Sequence, residues 1–312
     1  MATFELTKKT EFSIQTEFRN FPLTFVNGLR RIALSSIPIV VLRNIEILEN
    51  TSQMPHEMLK HRIELLPVNV LPTETEIIKN ARIKLLKAGQ NETIDVTTDD
   101  FESIDGRDGL LMRDRDLKTP LLFLRLKKNE AVHIVAHLSL EKGSQVCTAA
   151  MSYHIDPVRA EHERKLWVEK GEDPRIFDNF YIQKSYSIDD IGRPNWIDFS
   201  IETVGVLSPK EILKYTLQEL KSIVDTWMIE ALQNISKETD AFAVKINGNH
   251  TIGALFQEIM YHSDVTFVSY DIPHPMKPLM ILKFVTESQP EEILKNAQKS
   301  IHDYCEIIEK GL

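Results

Sequence analysis

Few residues in this chain have types and spacing that could do chemistry. His133 and His137 stand four apart in Ala131-Val132-His133-Ile134-Val135-Ala136-His137-Leu138. On a strand both would share a face, so a metal pair is one reading. No Glu stands where a zinc-binding helix motif needs it, and acids are scarce nearby, so packed or surface histidines are the expectation. His154, Glu161, His162 and Glu163 form a second polar cluster, in a charged, turn-rich stretch expected to face solvent. The eleven glycines fit neither GxxxxGK nor GxGxxG, and no GxSxG elbow occurs. Asp99-Asp100 and Asp189-Asp190 are adjacent pairs whose side chains would point opposite ways on a strand. This inventory does not argue for catalysis.

Composition narrows the field further. The two cysteines, Cys147 and Cys305, cannot make a disulfide framework or a four-cysteine zinc site. They are expected as small buried apolar groups in a reducing compartment, cytoplasm or nucleus. The chain lacks an apolar run of about 18 residues, so no membrane span is expected. Met1-Ala2-Thr3-Phe4-Glu5 does not read as a signal peptide. Net charge is −9, and residues 238–312 hold six Lys/Arg against eleven Asp/Glu. No segment is basic, which disfavours a protein that grips nucleic acid by itself.

Asn27-Gly28-Leu29-Arg30-Arg31 poses a different question. Two adjacent arginines on a helix otherwise given to packing must meet water or acidic partners. A solvated helix face and a docking point that grips carboxylates or carbonyls of another subunit are equally compatible with the charge pattern. His61-Arg62, on the next short helix, raises the same pair of readings.

The elements that position these residues follow from periodicity. Phe18, Phe21, Phe25, Leu29 and Ile32 recur at helical spacing and predict a helix over 18–37, ended by Pro38. Ile39–Leu42 and Ile45–Leu48 read as strands, and a short helix follows from about Met54 to Ile63. Ile83–Leu85, Ile94–Val96 and Leu122–Leu126 suggest strands in the middle of the chain. Residues 105–116 are a loop, and 156–180 a charged surface excursion. Trp196–Val204 alternates as a strand. Ser208-Pro209-Lys210-Glu211 then opens a helix with a capping box. Its stripe, Leu213, Leu217, Leu220, Val224, Trp227, Ala231 and Ile235, makes it a long amphipathic helix. Phe242–Ile246 is a strand, and Ile252, Leu255, Phe256 and Ile259 mark a helix. Met280–Val285 is another strand, and Leu294, Ala297, Ile301, Tyr304 and Ile308 mark a last helix. Strand, helix, strand and long helix thus occur twice, once interrupted, as expected of two like modules that pair.

At these residues the sequence resembles a known family. Phe25-Val26-Asn27-Gly28-Leu29-Arg30-Arg31-Ile32-Ala33-Leu34-Ser35-Ser36-Ile37-Pro38 is similar to the first helix of alpha-type RNA polymerase subunits. These are the bacterial alpha subunit, its archaeal counterpart and the third-largest subunit of eukaryotic RNA polymerase II. Ile45–Thr51, His61–Val68, Pro120–Leu126 and Trp196–Val204 continue the likeness in order. The C-terminal part is similar to the eleventh subunit of RNA polymerase II and its smaller archaeal counterpart. The matching motifs are Asn249-His250-Thr251-Ile252-Gly253-Ala254-Leu255, Ser269–Pro275 with His274 and Pro275, and Leu294–Ala297. Fusion of two such partners in one chain is reminiscent of polymerases encoded by large DNA viruses.

The resemblance implies an α+β protein with two dimerisation modules forming an intramolecular pseudo-heterodimer. Residues 1–74 and 195–237 would make the first module, 75–194 an inserted, mostly β domain, and 238–312 the second module. Its pairing core would hold Phe25, Leu29, Leu217, Leu220, Val224, Trp227, Ile252, Leu255, Phe256, Ala297 and Ile301. The implied function is a non-catalytic platform that assembles a DNA-directed RNA polymerase inside the cell. The second-largest, beta-like subunit would meet Asn27, Arg30, Arg31, His61 and Arg62. The largest subunit and small accessory subunits would complete the partners. Thr251 is expected to cap its helix, and Gly253 to permit close backbone approach. Many relatives of the third-largest type carry a cysteine cluster for zinc, or an iron–sulfur site, in the middle domain. Only Cys147 lies in that region here, so no cofactor is expected in this chain, and magnesium and zinc belong to other subunits. The rival readings are a metal-dependent enzyme using His133 and His137, and a transcription regulator built on the same dimerisation fold.

Overall fold

The structure is a computed structural model and describes residues 2–89, 92–143 and 145–312. In chain order the first elements are β1 (Thr3–Lys9), β2 (Ser13–Arg19), α1 (Leu23–Ser35), β3 (Pro38–Asn50), α2 (His56–Glu64) and α3 (Thr75–Asn80). The middle contributes β4 (Arg82–Ala88), β5 (Ile94–Thr97), β6 (Phe101–Ile104), β7 (Leu122–Leu126), β8 (Ala131–Lys142) and β9 (Cys147–Tyr153). Then come α4 (Pro157–Glu169), a one-turn α5 (Pro174–Ile176), β10 (Trp196–Thr203) and α6 (Pro209–Gln233). The chain closes with β11 (Ile235–Lys237), β12 (Phe242–Asn247), α7 (His250–Tyr261), β13 (Phe267–Asp271), β14 (Leu279–Val285) and α8 (Pro290–Gly311).

Two compact units divide the chain. One holds 1–33, 149–201 and 213–312, and the other 34–148 and 202–212. In the first, one sheet runs β1-β2-β10-β9 and another β11-β12-β14-β13. Phe18 lies on β2, where Ile14, Thr16 and Phe18 alternate inward, so the helix expected from residue 18 begins only at Leu23. Asn20 at φ 57° turns the chain between them, and Pro22 stands before the first helical turn. Phe18 serves the aromatic core instead, with ring centroids 5.2 Å from Phe4, 5.2 Å from Phe21 and 5.6 Å from Phe199.

Helix α6 dominates this unit. Leu213, Leu217, Leu220, Val224, Trp227, Met228 and Ala231 are buried, while Ile235 falls past the helix end on β11. Trp227 meets Phe256 of α7 at 4.3 Å between ring centroids. Asp225 accepts from Gln298 Nε2 at 2.7 Å and pairs with His302 Nε2 at 2.9 Å, and Lys221 reaches Glu309 of α8 at 2.8 Å. These polar contacts are partly exposed and worth roughly 0–1 kcal/mol each. Each buried Leu or Val contributes about 1.5–3 kcal/mol. Packing therefore supplies the stability, and the polar pairs set the register of α8 on α6.

Excursion 156–180 is more regular than its composition suggests. Asp156 caps α4 by accepting from Val158 N and Arg159 N, and Pro157 occupies the first helical position. The sequence thus carries the start signals of a helix, but α4 lacks an apolar stripe and buries only Ala160.

In the second unit β3, β8, β4 and β6 form an antiparallel sheet, and β5 pairs with β7. The two expected strands at 39–42 and 45–48 are one strand, β3, with a bulge at Asn44, where φ is 49°. Leu42, Leu59, Ile63, Val68, Leu85 and Leu126 sit at the heart of its core. The capping box at Ser208 forms as expected: Ser208 N donates to Glu211 Oε2 at 2.9 Å and Glu211 N to Ser208 Oγ at 3.3 Å.

Two expectations follow for stability. Trp227 is 5% exposed and its Nε1 finds no acceptor among the described residues. Trp227→Ala should cost about 3–5 kcal/mol in denaturant melts. Trp227→Phe should cost far less, because it removes an unpaired buried N–H along with part of the ring. Glu238 bonds Lys245 and Lys283, which hold its carboxyl at about 2 against an ordinary 4.5. The folded value is depressed, so this contribution is present above pH 4.5 and lost as pH falls toward 2. Melting temperatures of wild type and Glu238→Gln should differ above pH 5 and converge by pH 2.

Candidate functional site

Helix α1 carries Asn27, Arg30 and Arg31, and its opposite side buries Phe25, Val26, Leu29, Ile32 and Ala33. Asn27 Oδ1 accepts from both Arg30 Nε (3.2 Å) and Arg30 Nη2 (2.9 Å), which fixes that guanidinium along the helix. Arg31 instead turns to α7, where its Nε donates to Thr251 Oγ1 at 2.8 Å. At the other end of α1, Thr24 N and Thr24 Oγ1 donate to Glu258 Oε2 at 2.8 and 2.5 Å. Thr24 and Glu258 thus join α1 to α7 at positions that the hydrophobic stripes do not reveal. Each lies seven residues from its companion on the same helix, Arg31 or Thr251, and that matched spacing is the signal that could have found them.

The cap of α7 is Asn249, not Thr251. Asn249 is extended (φ −136°, ψ 171°), and its Oδ1 accepts from Thr251 N and Ile252 N at 3.0 and 3.1 Å. Asparagine leads threonine as a cap, and it stands at the extended position before His250. The hydroxyl of Thr251, released from capping, receives Arg31. Gly253 faces Tyr270 and Met280, and an added Cβ would lie 2.4 Å from Tyr270 Cδ2. The motif glycine is therefore a packing requirement. His250 Nδ1 lies 3.3 Å from Tyr270 Oη, and His274 Nδ1 accepts from Met276 N at 3.1 Å in the turn that includes Pro275.

The residues expected at a pairing core are all buried. Phe25, Leu29, Leu217, Leu220, Val224, Trp227, Ile252, Leu255, Phe256, Ala297 and Ile301 are at most 5% exposed. Tyr304 of α8 packs on Phe21 and Phe25 at 5.2 and 5.4 Å between centroids. Burial, and then the charge of Glu258, raises its phenol.

His61 and Arg62 lie on α2, in the second unit. His61 is exposed, whereas Arg62 Nε donates to Phe123 O at 2.9 Å and Nη2 to Leu122 O at 3.3 Å. Leu59 and Ile63 pin the inner side of α2, and Arg43 ties it by pairing with Glu64 (2.9 Å) and Glu141 (2.8 Å). Hydrogen bonding to Glu141, against some cost of burial, raises the Arg43 guanidinium.

His133 and His137 share the outer face of β8, as expected of residues four apart on a strand. At about 3.3 Å per residue their Cα atoms lie about 13 Å apart, too far for one ion. They stand opposite different neighbours, Glu49 and Leu86 for His133, Arg43 and Arg82 for His137. Among the described residues one group could surround an ion: Glu17, His154 and Asp198. His154 is half-buried here, against the expectation of a solvent-facing side chain. Its ring stacks on Trp196 at 3.8 Å, and its Nδ1 lies 2.8 Å from Asp198 Oδ1. Glu17 accepts from Trp196 Nε1 at 2.9 Å and from Arg19 at 3.1 Å, and the Arg19 guanidinium lies 3.7 Å from the Trp196 ring centroid. The carboxylates already have partners, and the Arg19 charge opposes a cation there. Glu163 is tied to Ser185 Oγ and to Arg159 Nε. Burial pushes the Cys147 thiol to about 11 and the Cys305 thiol to about 12, so neither is an activated nucleophile. The cysteine content does not fit a zinc or iron–sulfur cluster. No helix among the described residues is long and apolar enough to cross a membrane.

Comparison with known proteins fits this arrangement of helices. Residues 15–224 and 241–311 match two family models, each described as the RNA polymerase Rpb3/Rpb11 dimerisation domain. The chain is 24% identical over 261 residues to DNA-directed RNA polymerase subunit Rpo3 of Pyrococcus horikoshii, covering 74% of this chain and 98% of that one. It is 24% identical over 246 residues to DNA-directed RNA polymerase II subunit RPB3 of Schizosaccharomyces pombe, covering 67% and 80%. A shorter stretch of 64 residues is 38% identical to the conjugation stage-specific protein of Tetrahymena thermophila, covering 20% and 21%. In the shorter, more identical alignments the chain spans 21% to 42% of the relative's length. The match over 15–224 alone covers more than half of the sequence, and the chain belongs to the RNA polymerase Rpb3/Rpb11 dimerisation-domain family.

Proposed function

We propose that this chain is a non-catalytic assembly subunit of a DNA-directed RNA polymerase, in which two dimerisation modules pair within one polypeptide. The observation that carries the reading is the shared core. Helix α1 and most of α6, from the region of the first match, pack with α7 and α8, from the region of the second, inside one compact unit. Two family members that would otherwise meet as separate chains would then meet at a high effective concentration, which makes pairing nearly obligatory. Residues 1–74 and 195–237 would form one module, 238–312 the other, and 75–194 the insert between parts of the first.

The paired modules would act as a platform for the second-largest, beta-like subunit, the largest subunit and small accessory subunits. Nucleotidyl transfer and its magnesium would belong to the largest subunit, and zinc to other subunits. Asn27 and Arg30 are the docking residues best supported by geometry, because Asn27 holds the Arg30 fork in one orientation before any partner arrives. His61 would add a polar contact from α2. Arg31 and Arg62 would contribute less, since Thr251 and the carbonyls of strand β7 engage them.

The test is affinity purification of the tagged chain from its native source, with mass spectrometry and a template-dependent transcription assay. Two very large subunits and RNA synthesis are expected in the eluate. An interface arginine of this kind is worth roughly 2 kcal/mol or more, about thirtyfold in affinity. Arg30→Glu should therefore release the second-largest subunit while the chain keeps its wild-type melting temperature. Recovery of the chain alone, inactive in transcription, would overturn the proposal.

A further inference from the structure

The contacts between α1 and α7 are symmetric in position and opposite in charge. Thr24 and Thr251 are each the second residue of their helix, and Arg31 and Glu258 each follow seven residues later. Thr24 meets Glu258 and Arg31 meets Thr251, so the helices run antiparallel, with one polar contact at each end. A quasi-two-fold relation makes the two threonines equivalent, and likewise Arg31 and Glu258.

The two helix starts have different needs. Asn249 satisfies Thr251 N and Ile252 N at the start of α7. At the start of α1, Thr24 N takes its acceptor from another helix, the Glu258 carboxylate. Pro22 precedes it without a side-chain acceptor, and its first turn holds no acid. The exposed partial positive charge of that start is met from outside, by the Glu258 carboxylate on Thr24 N and Thr24 Oγ1. We infer that Glu258 and Arg31 form a polarity code by which α1 accepts α7 and refuses the α1 of a second copy of this chain. In an α1–α1 pair, each Thr24 would face the equivalent of Glu258, which is Arg31. A guanidinium, with donors only, would then abut the donors Thr24 N and Thr24 Oγ1 at the positive end of a helix. This inference rests on the proposed pairing of the two modules within one chain, and it adds what makes that pairing selective.

The experiment uses the full chain. Sedimentation equilibrium would compare wild type with Arg31→Glu, Arg31→Lys and the double swap Arg31→Glu/Glu258→Arg. Wild type and Arg31→Lys should be monomeric. Arg31→Glu places a carboxylate where a second α1 needs one, so self-association should tighten at least tenfold. The double swap should be mainly dimeric, because it also puts an arginine against Thr24 within the chain. A folded Arg31→Glu chain, by circular dichroism, that stays as monomeric as wild type would overturn the code even if the double swap failed to fold. A separate readout guards the underlying reading. Carbodiimide should join Lys221 to Glu309, now 2.8 Å apart, within single wild-type chains in a mixture of light and heavy isotopes. Formation of that link in a monomeric Arg31→Glu chain would leave the pairing intact and sink only the code. Its absence from wild type would sink both.

Discussion

A helix of 25 residues with one continuous apolar stripe must have that stripe covered, and α6 makes this demand on everything around it. Leu213, Leu217, Leu220 and Val224 are fully buried, and Trp227 nearly so. Exposing such a stripe would forfeit on the order of ten kcal/mol, comparable with the whole stability of a domain. The cover comes from far along the chain: Phe256 of α7 lies against Trp227, and α8 runs beside Lys221 and Asp225. Helix α8 is itself buried along Ile293, Leu294, Ala297, Ile301, Cys305 and Ile308. Each helix is thus the cover that the other lacks.

Once that apolar demand is met, polar groups decide which partner meets it. Dispersion and burial do not discriminate strongly between one leucine-rich helix and another, whereas a misplaced charge does. The side chains at the edges of these helix pairs are accordingly complementary: Glu258 at the start of α1, Arg31 at Thr251, and Asp225 between Gln298 and His302. None is deeply buried, so each contributes little stability and a good deal of register.

The parts of the fold visible in the sequence are those whose period matches their burial. Helices α6, α7 and α8 bury one face each, and strand β10 alternates, so their apolar spacing names them. Phe18 misleads because Phe18, Phe21 and Phe25 keep helical spacing while crossing from a strand into a helix. The turn at Asn20 and the proline at position 22 hold the correcting information. Helix α4 escapes because it is solvated nearly all round, leaving only Asp156-Pro157 to announce it. At the candidate site, Asn27, Arg30 and Arg31 are legible as a group. Their separate fates are not, since Thr251 and Glu258 lie more than 200 residues away and only folding brings them together. His154 fails for the same reason: its partners, Trp196 and Asp198, follow it by about forty residues.

The way the ionisable groups are used bears on function more than any one motif does. An active site keeps groups poised, with shifted titration and open access to a substrate. Here the thiols are driven toward the inert, protonated form by burial. His154 and His302 are engaged with aspartates, and His250 neighbours Tyr270. Arg43 bridges two glutamates, and Arg62 braces a strand through its carbonyls. Each contact joins two different elements, so these side chains hold the geometry of the fold. A protein whose polar residues chiefly fix the angles between its own helices and strands is suited to present a rigid face. Rigidity before contact lowers the entropic cost of binding, which is the physical advantage an assembly subunit has to offer.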